Sequence, residues 1–243
     1  MNKVTKLLAP LTLMASVGAH ADFIGGSVEV AYWYAGVGGD ATVGSATVDM
    51  EDDLDFGDDS NFEIAATLEH PVPLIPNVRL KFADIDQTEE GSISTGYDGV
   101  TAGNVETNLD LSHTDLILYY EILDNWVSVD VGLDIKVFDG QLEITNDTTS
   151  ETSSTDIDEI LPLAYASAEF ELPLTDLSFG AELSALSYSD NSIYDGKIRF
   201  RQGFSLAFIE LGYRQMGIKV EDISDTDIDV NFGGVYLSTG LDF

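Results

Sequence analysis

The stretch Val127–Phe138, VSVDVGLDIKVF, decides the fold. Val127, Val129, Val131, Leu133, Ile135 and Val137 alternate with Ser128, Asp130, Gly132, Asp134, Lys136 and Phe138. A period of two residues belongs to an extended strand, whose side chains leave on opposite faces. One face here is wholly apolar, while the other mixes two acids, a lysine and a phenylalanine. A strand on a soluble core would bury the first face and wet the second. A strand in a membrane barrel would turn the first to lipid and the second to a lumen. The neighbouring segments choose between these.

Before this stretch, Val28, Val30, Tyr32 and Tyr34 oppose Ser27, Glu29, Ala31, Trp33 and Ala35. Phe62, Ile64, Ala66 and Leu68 oppose Glu63, Ala65, Thr67 and Glu69. Val78, Leu80 and Phe82 oppose Arg79, Lys81 and Ala83; Leu116, Leu118, Tyr120 and Ile122 oppose Asp115, Ile117, Tyr119 and Glu121. After it, weaker alternation marks strands near 164–172, 177–187, 195–202, 207–219 and 228–243, with Pro162 predicting a start after it or a bulge. The connectors alternate between short turns (Pro71–Asn77, Leu123–Trp126, Pro173–Asp176, around Gly203) and long polar stretches (38–61, 84–109, 139–158), with shorter ones near 188–194 and 220–227. The pattern predicts an all-β, antiparallel, up-and-down transmembrane barrel of ten strands, with short periplasmic turns and long acidic extracellular loops. Val235, Leu237, Leu241 and the terminal Phe243 share one face of the last strand, as in barrel-assembly substrates of Gram-negative outer membranes.

The N-terminus, MNKVTKLLAPLTLMASVGAHA, has Lys3 and Lys6, an apolar Leu7–Val17 and the small residues of Ala19-His20-Ala21. This predicts a signal peptide over residues 1–21 and a barrel domain over 22–243. The 243 residues carry 44 acids against 10 bases, a formal charge of −34, and no cysteine. Removing Lys3 and Lys6 leaves 8 bases against 44 acids, or −36. Such a charge repels phosphate backbones and excludes nucleic acid as a partner. The lack of cysteine excludes disulfide scaffolds, thiolate metal sites and thiol catalysis.

Leu111–Leu133, LSHTDLILYYEILDNWVSVDVGL, resembles a family of small outer-membrane barrel proteins of Gram-negative proteobacteria associated with the GlyGly-C-terminal sorting system. Glu51–Asn61, His70–Phe82, Leu161–Pro173 and Glu210–Gln215 carry the same resemblance. It implies the outer membrane and a monomeric barrel, and it implies no activity.

Arg79, Lys81, Lys136, Lys197, Arg199, Arg201 and Arg214 all fall on the face opposite the apolar one, with Lys219 beyond the end of the ninth strand. A lysine or arginine facing lipid at the midplane costs about 2–4 kcal/mol, so these bases belong to the lumen. Glu29, Glu63, Asp115, Glu121, Asp130, Asp134, Glu169, Glu171, Glu182 and Glu210 share that face. A charge network filling much of the lumen is predicted, with Glu182 and Glu210 as partners of Arg199. The other reading of the same residues is an ion pathway. The remaining acids crowd the loops; they read first as a solvated, solubilising surface, and second as carboxylates that meet outer-membrane lipid and lipopolysaccharide through divalent cations. They have no EF-hand spacing, and no metal or cofactor site is predicted. His113, Asp115 and Ser184 share the inward face, but a catalytic triad needs a geometry that spacing does not supply. The expectation is a non-enzymatic barrel with a structural or surface role, ahead of a narrow pore for small solutes or cations and of a lumenal enzyme.

Overall fold

The computed structural model describes residues 24–72, 74–223 and 226–243; the expected signal peptide lies outside them. In chain order the strands are β1 (Gly25–Val43), β2 (Ala46–Asp49), β3 (Asp58–Glu69), β4 (Asn77–Asp84) and β5 (Asp86–Ile93). They continue with β6 (Gly103–Asp110), β7 (His113–Leu123), β8 (Val127–Phe138), β9 (Gly140–Asn146) and β10 (Thr152–Ile157). The last five are β11 (Ile160–Glu171), β12 (Leu177–Tyr188), β13 (Asn191–Phe204), β14 (Ala207–Ile223) and β15 (Thr226–Asp242).

Ten of these form a closed antiparallel barrel in the order β1-β3-β4-β7-β8-β11-β12-β13-β14-β15, and β15 returns to β1 through pairs running from Ser27↔Asp242 to Val43↔Thr226. Closure leaves the ten-stranded wall without a free edge, which lets it lie in hydrocarbon with its backbone groups satisfied. The side-chain alternation follows the sequence pattern. Val30, Tyr32, Tyr34, Ile64, Leu68, Leu80, Val131, Leu133, Leu183, Ile198, Leu211 and Leu237 are exposed on the outside. Glu29, Glu63, Lys81, Asp115, Lys136, Glu182 and Arg214 are buried inside. The charged face is therefore the dry one, the reverse of a soluble sandwich and the arrangement of a transmembrane barrel.

Gly26 at the start of β1, the C-terminal Phe243 and the short connectors share one end of the barrel, the periplasmic end of this architecture. His70 clamps the β3–β4 turn: the Val72 N–H donates to its Nδ1 at 3.2 Å, leaving Nε2–H for the Pro76 carbonyl at 3.2 Å.

The other end corrects the sequence reading. The expected connectors shorten: within 38–61, β1 runs on to Val43, β2 covers Ala46–Asp49 and β3 starts at Asp58, while β13 starts at Asn191, β14 ends at Ile223 and β15 starts at Thr226. Residues 84–109 and 139–158 are largely strand and not polar loop: β5, β6, β9 and β10 form an antiparallel sheet in the order β5-β6-β9-β10. Its neighbours repeat those of β4, β7, β8 and β11 below it, so the barrel wall continues beyond the membrane. Pro162 lies inside β11, paired with Ile135 with no register break; β12 reaches only Ala164, so the proline sits where that flank is unpaired. Lys219 lies within β14, opposite Asp229 of β15.

A buried apolar core fills this end. Met50, Leu54 and Phe56 come from the β2–β3 connector, and Ile93, Tyr97, Val100, Val105, Leu109, Leu142, Ile144 and Ile157 from the four-stranded sheet. Met216, Ile218, Ile228, Val230 and Phe232 enter from the extended β14 and β15. The β5–β6 hairpin turns at Asp98-Gly99, both with positive φ, the two-residue geometry that matches strand twist. The flanking Tyr97 and Val100 exchange backbone hydrogen bonds at 2.9 and 2.8 Å and point back into the core.

Candidate functional site in the lumen

The lumen has three layers. Furthest from the periplasm is the apolar core. Beneath it lies a belt of buried ion pairs, and the two meet where the Arg214 guanidinium stacks 4.6 Å from the Trp33 ring centre. The planar cation satisfies its donors below while offering a face to the indole above.

The belt is built from alternate residues of adjacent strands. Asp115 on β7 and Lys136 on β8 are register partners, and the Lys136 ammonium lies 2.8 Å from both Asp115 oxygens. Lys81 on β4 approaches Asp115 at 3.1 Å. Asp195 on β13 receives Arg214 Nε at 2.8 Å and Nη2 at 2.7 Å, and Lys136 at 3.3 Å. Glu63 takes Arg214 at 2.9 Å and Lys197 at 3.6 Å. Glu182 gathers Arg79 at 2.8 Å, Arg199 at 3.6 Å, Lys197 at 3.8 Å and Lys81 at 3.9 Å. Arg79 also reaches Glu29 at 3.1 Å. Nearer the periplasm Arg199 holds Glu169 at 2.6 Å and lies 3.7 Å from Glu210, while Arg201 holds Asp242 at 2.6 Å. Multiple partners per charge satisfy the directional demands of buried ions.

The structure thus joins Arg79, Lys81, Asp115, Lys136, Glu169, Glu182, Lys197, Arg199, Arg201, Glu210 and Arg214 in ion pairs. Glu121, Asp130 and Asp134 stand apart from these pairs. Asp130 accepts a hydrogen bond from Ser167 at 3.1 Å. Asp134 is buried beside Asp115 and Lys136, and neither of its oxygens closes a hydrogen bond. Asp195 is the hub that the sequence reading missed, although it shares the parity of Lys197, Arg199 and Arg201; Asp242 was missed in the same way. The chief partner of Arg199 is Glu169, two strands away.

His113, Asp115 and Asp195 place ligand-type atoms within 4.8 Å of one another. The Lys136 ammonium already bridges the two carboxylates, so the positive charge of that cluster is supplied by the chain itself. His113 Nδ1 lies 2.8 Å from the Leu111 carbonyl and donates to it, which directs this nitrogen away from Asp115. The order needed for a Ser–His–Asp relay, histidine Nδ1–H donating to the aspartate, is not made.

The third layer is a bowl of about 700 Å³ open to the periplasm. Glu29, Arg79, Glu210 and Tyr165 form part of its floor; Glu69, Glu121, Asp130, Glu169, Arg199 and Arg201 stand on its walls. The lumen is therefore filled over its outer portion and hollow at the periplasmic mouth.

No protein-family model matches the chain, and no curated protein matches it. Among solved structures, the outer membrane protease OmpT from Escherichia coli matches with a TM-score of 0.57 at 9% identity, over 92% of this chain and 98% of that one. The translocator domain of the autotransporter NalP from Neisseria meningitidis matches at 0.49 and 11% identity, over 92% and 90%. Ail, the attachment invasion locus protein of Yersinia pestis, matches at 0.33 and 13% identity, over 90% and 99%. At such identities the likeness to OmpT is one of fold, and that fold, with its apolar exterior, is an outer-membrane β-barrel.

Proposed function

We propose that this chain is a non-enzymatic outer-membrane barrel with a closed lumen, which serves the envelope as a rigid platform for its outer surface. The observation that carries this reading is the apolar core across the loop end, seated directly on the ion-pair belt. Water and ions entering from the bowl would meet first a neutralised charge layer and then a dry one.

The outer face of that platform is acidic. Glu51, Asp52, Asp55, Asp58, Asp59, Asp156, Asp158, Asp227 and Asp229 are exposed at this end, and Lys219 is the base among them. Such a surface, above the apolar band, suits lipopolysaccharide phosphates through divalent cations, with a monomeric barrel delivered by the barrel-assembly machinery. The folded protein in liposomes with and without lipopolysaccharide tests this. Magnesium is expected to raise the unfolding temperature only when lipopolysaccharide is present, and a chelator to abolish the rise. An equal response in both membranes would remove the surface role.

The second reading, a narrow cation pore, draws on the bowl, where carboxylates outnumber bases as in a cation vestibule. It requires the apolar core at the loop end, the cap of the lumen, to open.

A further inference from the structure

The four-stranded sheet at the loop end has two edges, and they are treated differently. Beside β5 the Ser92 N–H donates to the Asp53 carbonyl at 2.7 Å, so the β2–β3 connector covers that edge. On the other side β10 is the last strand and pairs with β9 alone. The bonds at its two ends show which of its backbone groups point away from β9. The Asn146 N–H donates to the Glu151 carbonyl and the Phe138 N–H to the Glu159 carbonyl, both at 2.9 Å. Hydrogen-bonded pairs alternate along an antiparallel ladder, so Ser153, Thr155 and Ile157 bond to β9. Thr152, Ser154 and Asp156 turn their N–H and C=O groups outward, and among the described residues no strand takes them up.

The edge continues into the wall below. β12 leaves β11 above the Ala164↔Ala185 pair, so exposed Ile160 and Pro162 extend the same unpaired flank. The Thr155 hydroxyl meets that of Thr226 at 3.5 Å on the buried side, which sets the start of β15 against the inner face of β10. A free edge is a template for a further strand, and proteins commonly blunt it with lysine, proline or a bulge. β10, TSSTDI, has none of these and keeps an unbroken register. Its surroundings are acidic. Asp156, Asp158 and Glu159 lie exposed along the flank, with Asp190 at the β12–β13 turn and Glu221 on β14. Like charges brought opposite one another disfavour a second copy of this edge, while a basic strand is complementary to it.

We propose that the β10 edge receives an extended basic segment of another protein as an added strand at the outer surface. The outward N–H and C=O groups of Thr152, Ser154 and Asp156 supply the backbone pairing, and the flanking carboxylates select lysine or arginine at alternate positions of the incoming strand. This gives the platform a partner class; it rests on the outer surface being the working face, and not on lipopolysaccharide.

Titration of the detergent-folded full chain with an alternating lysine–threonine peptide tests it. Magnesium and lipopolysaccharide are left out, so the outcome is separate from that of the liposome experiment and from closure of the lumen. Saturable binding is expected, with amide exchange slowed at Thr152, Ser154 and Asp156 and unchanged at Ser153 and Thr155, which β9 already holds. Ser154→Pro removes the central outward N–H without breaking a bond to β9, and should weaken binding by about tenfold. The same peptide N-methylated at every backbone amide keeps its charge and should not bind. Absence of saturable binding, equal binding of the methylated peptide, or exchange protection confined to residues outside β10 would overturn the added strand. Self-association of the chain without peptide, reversed by Ser154→Pro, would overturn it in favour of a second copy.

Discussion

Arg199 on β13 holds Glu169 on β11 by crossing over Gly180 on the strand between them. Gly180 is the register partner of both residues, so all three lie in one row across the wall. A Cβ at Gly180 would stand 2.7 Å from Arg199 Nε, the nitrogen that donates to Glu169 at 3.0 Å. The missing side chain is what lets the guanidinium lie flat and reach two strands away.

Gly180→Ala should therefore push Arg199 off Glu169 and destabilise the barrel by about 1–3 kcal/mol, the scale of an overpacked site. Heat-modifiable gel migration across a temperature series would measure it. Arg199→Ala should cost less in the Gly180→Ala background than in the native chain, because the bond is already broken.

Between Arg199 and its carboxylates, coupling should follow distance. The double-mutant cycle of Arg199→Ala with Glu169→Ala should give a larger interaction energy than the cycle with Glu182→Ala, at 2.6 Å against 3.6 Å. Glu182→Ala alone should be the more damaging single change, since it strips four bases of a shared partner. Equal coupling in the two cycles would mean that water reorganises the row.

At the centre of the belt, Lys136 and Asp115 are both fully buried. Lys136→Met should cost about 3–5 kcal/mol, the penalty for leaving a buried charge short of its counter-ion. Lys81 remains beside Asp115 and should hold the loss toward the lower figure. Lys136→Met with Asp115→Leu should recover much of it, as measured by unfolding in detergent.

The loop end offers a pH-dependent contact outside the membrane. The Thr101 N–H at 2.9 Å, the Thr101 hydroxyl at 2.8 Å and the Thr149 hydroxyl at 2.9 Å donate to Glu151, and these bonds hold its carboxyl below the usual carboxylate range. A carboxyl lowered on folding contributes stability that is present above its unfolded pKa of about 4.3 and is lost as pH falls through the lower folded value. Amide exchange at Thr101 should accelerate on acidification through that window, and Glu151→Gln should flatten the response.

The barrel was legible because one face of each strand meets lipid and must be apolar throughout. The alternation of Val127–Phe138 survives without exception, and the seven lumenal bases follow from it. The cap was not legible because its inner face is not coded by apolar residues alone. Gln87, Thr107, Ser153 and Thr155 are buried there, so β5, β6 and β10 read as polar loop. Met50, Leu54 and Phe56 sit among acids at spacings that fit neither strand nor helix. Asp195 escaped because it opens the recognised part of its strand, although its parity with Lys197 was available. Glu169 escaped as the partner of Arg199 because pairing was sought on adjacent strands, and the glycine that permits the longer reach announces nothing by itself.

The proposed platform requires the apolar cap and the ion-pair belt to close the lumen. Conductance of the purified, folded chain in planar bilayers tests it most directly. A closed lumen predicts a baseline without stable steps, retained after Met50→Ser or Leu54→Ser loosens the cap, because the ion-pair belt remains beneath it. Large, stable, cation-selective steps from the native chain would contradict the account and show that the bowl is the vestibule of a pore.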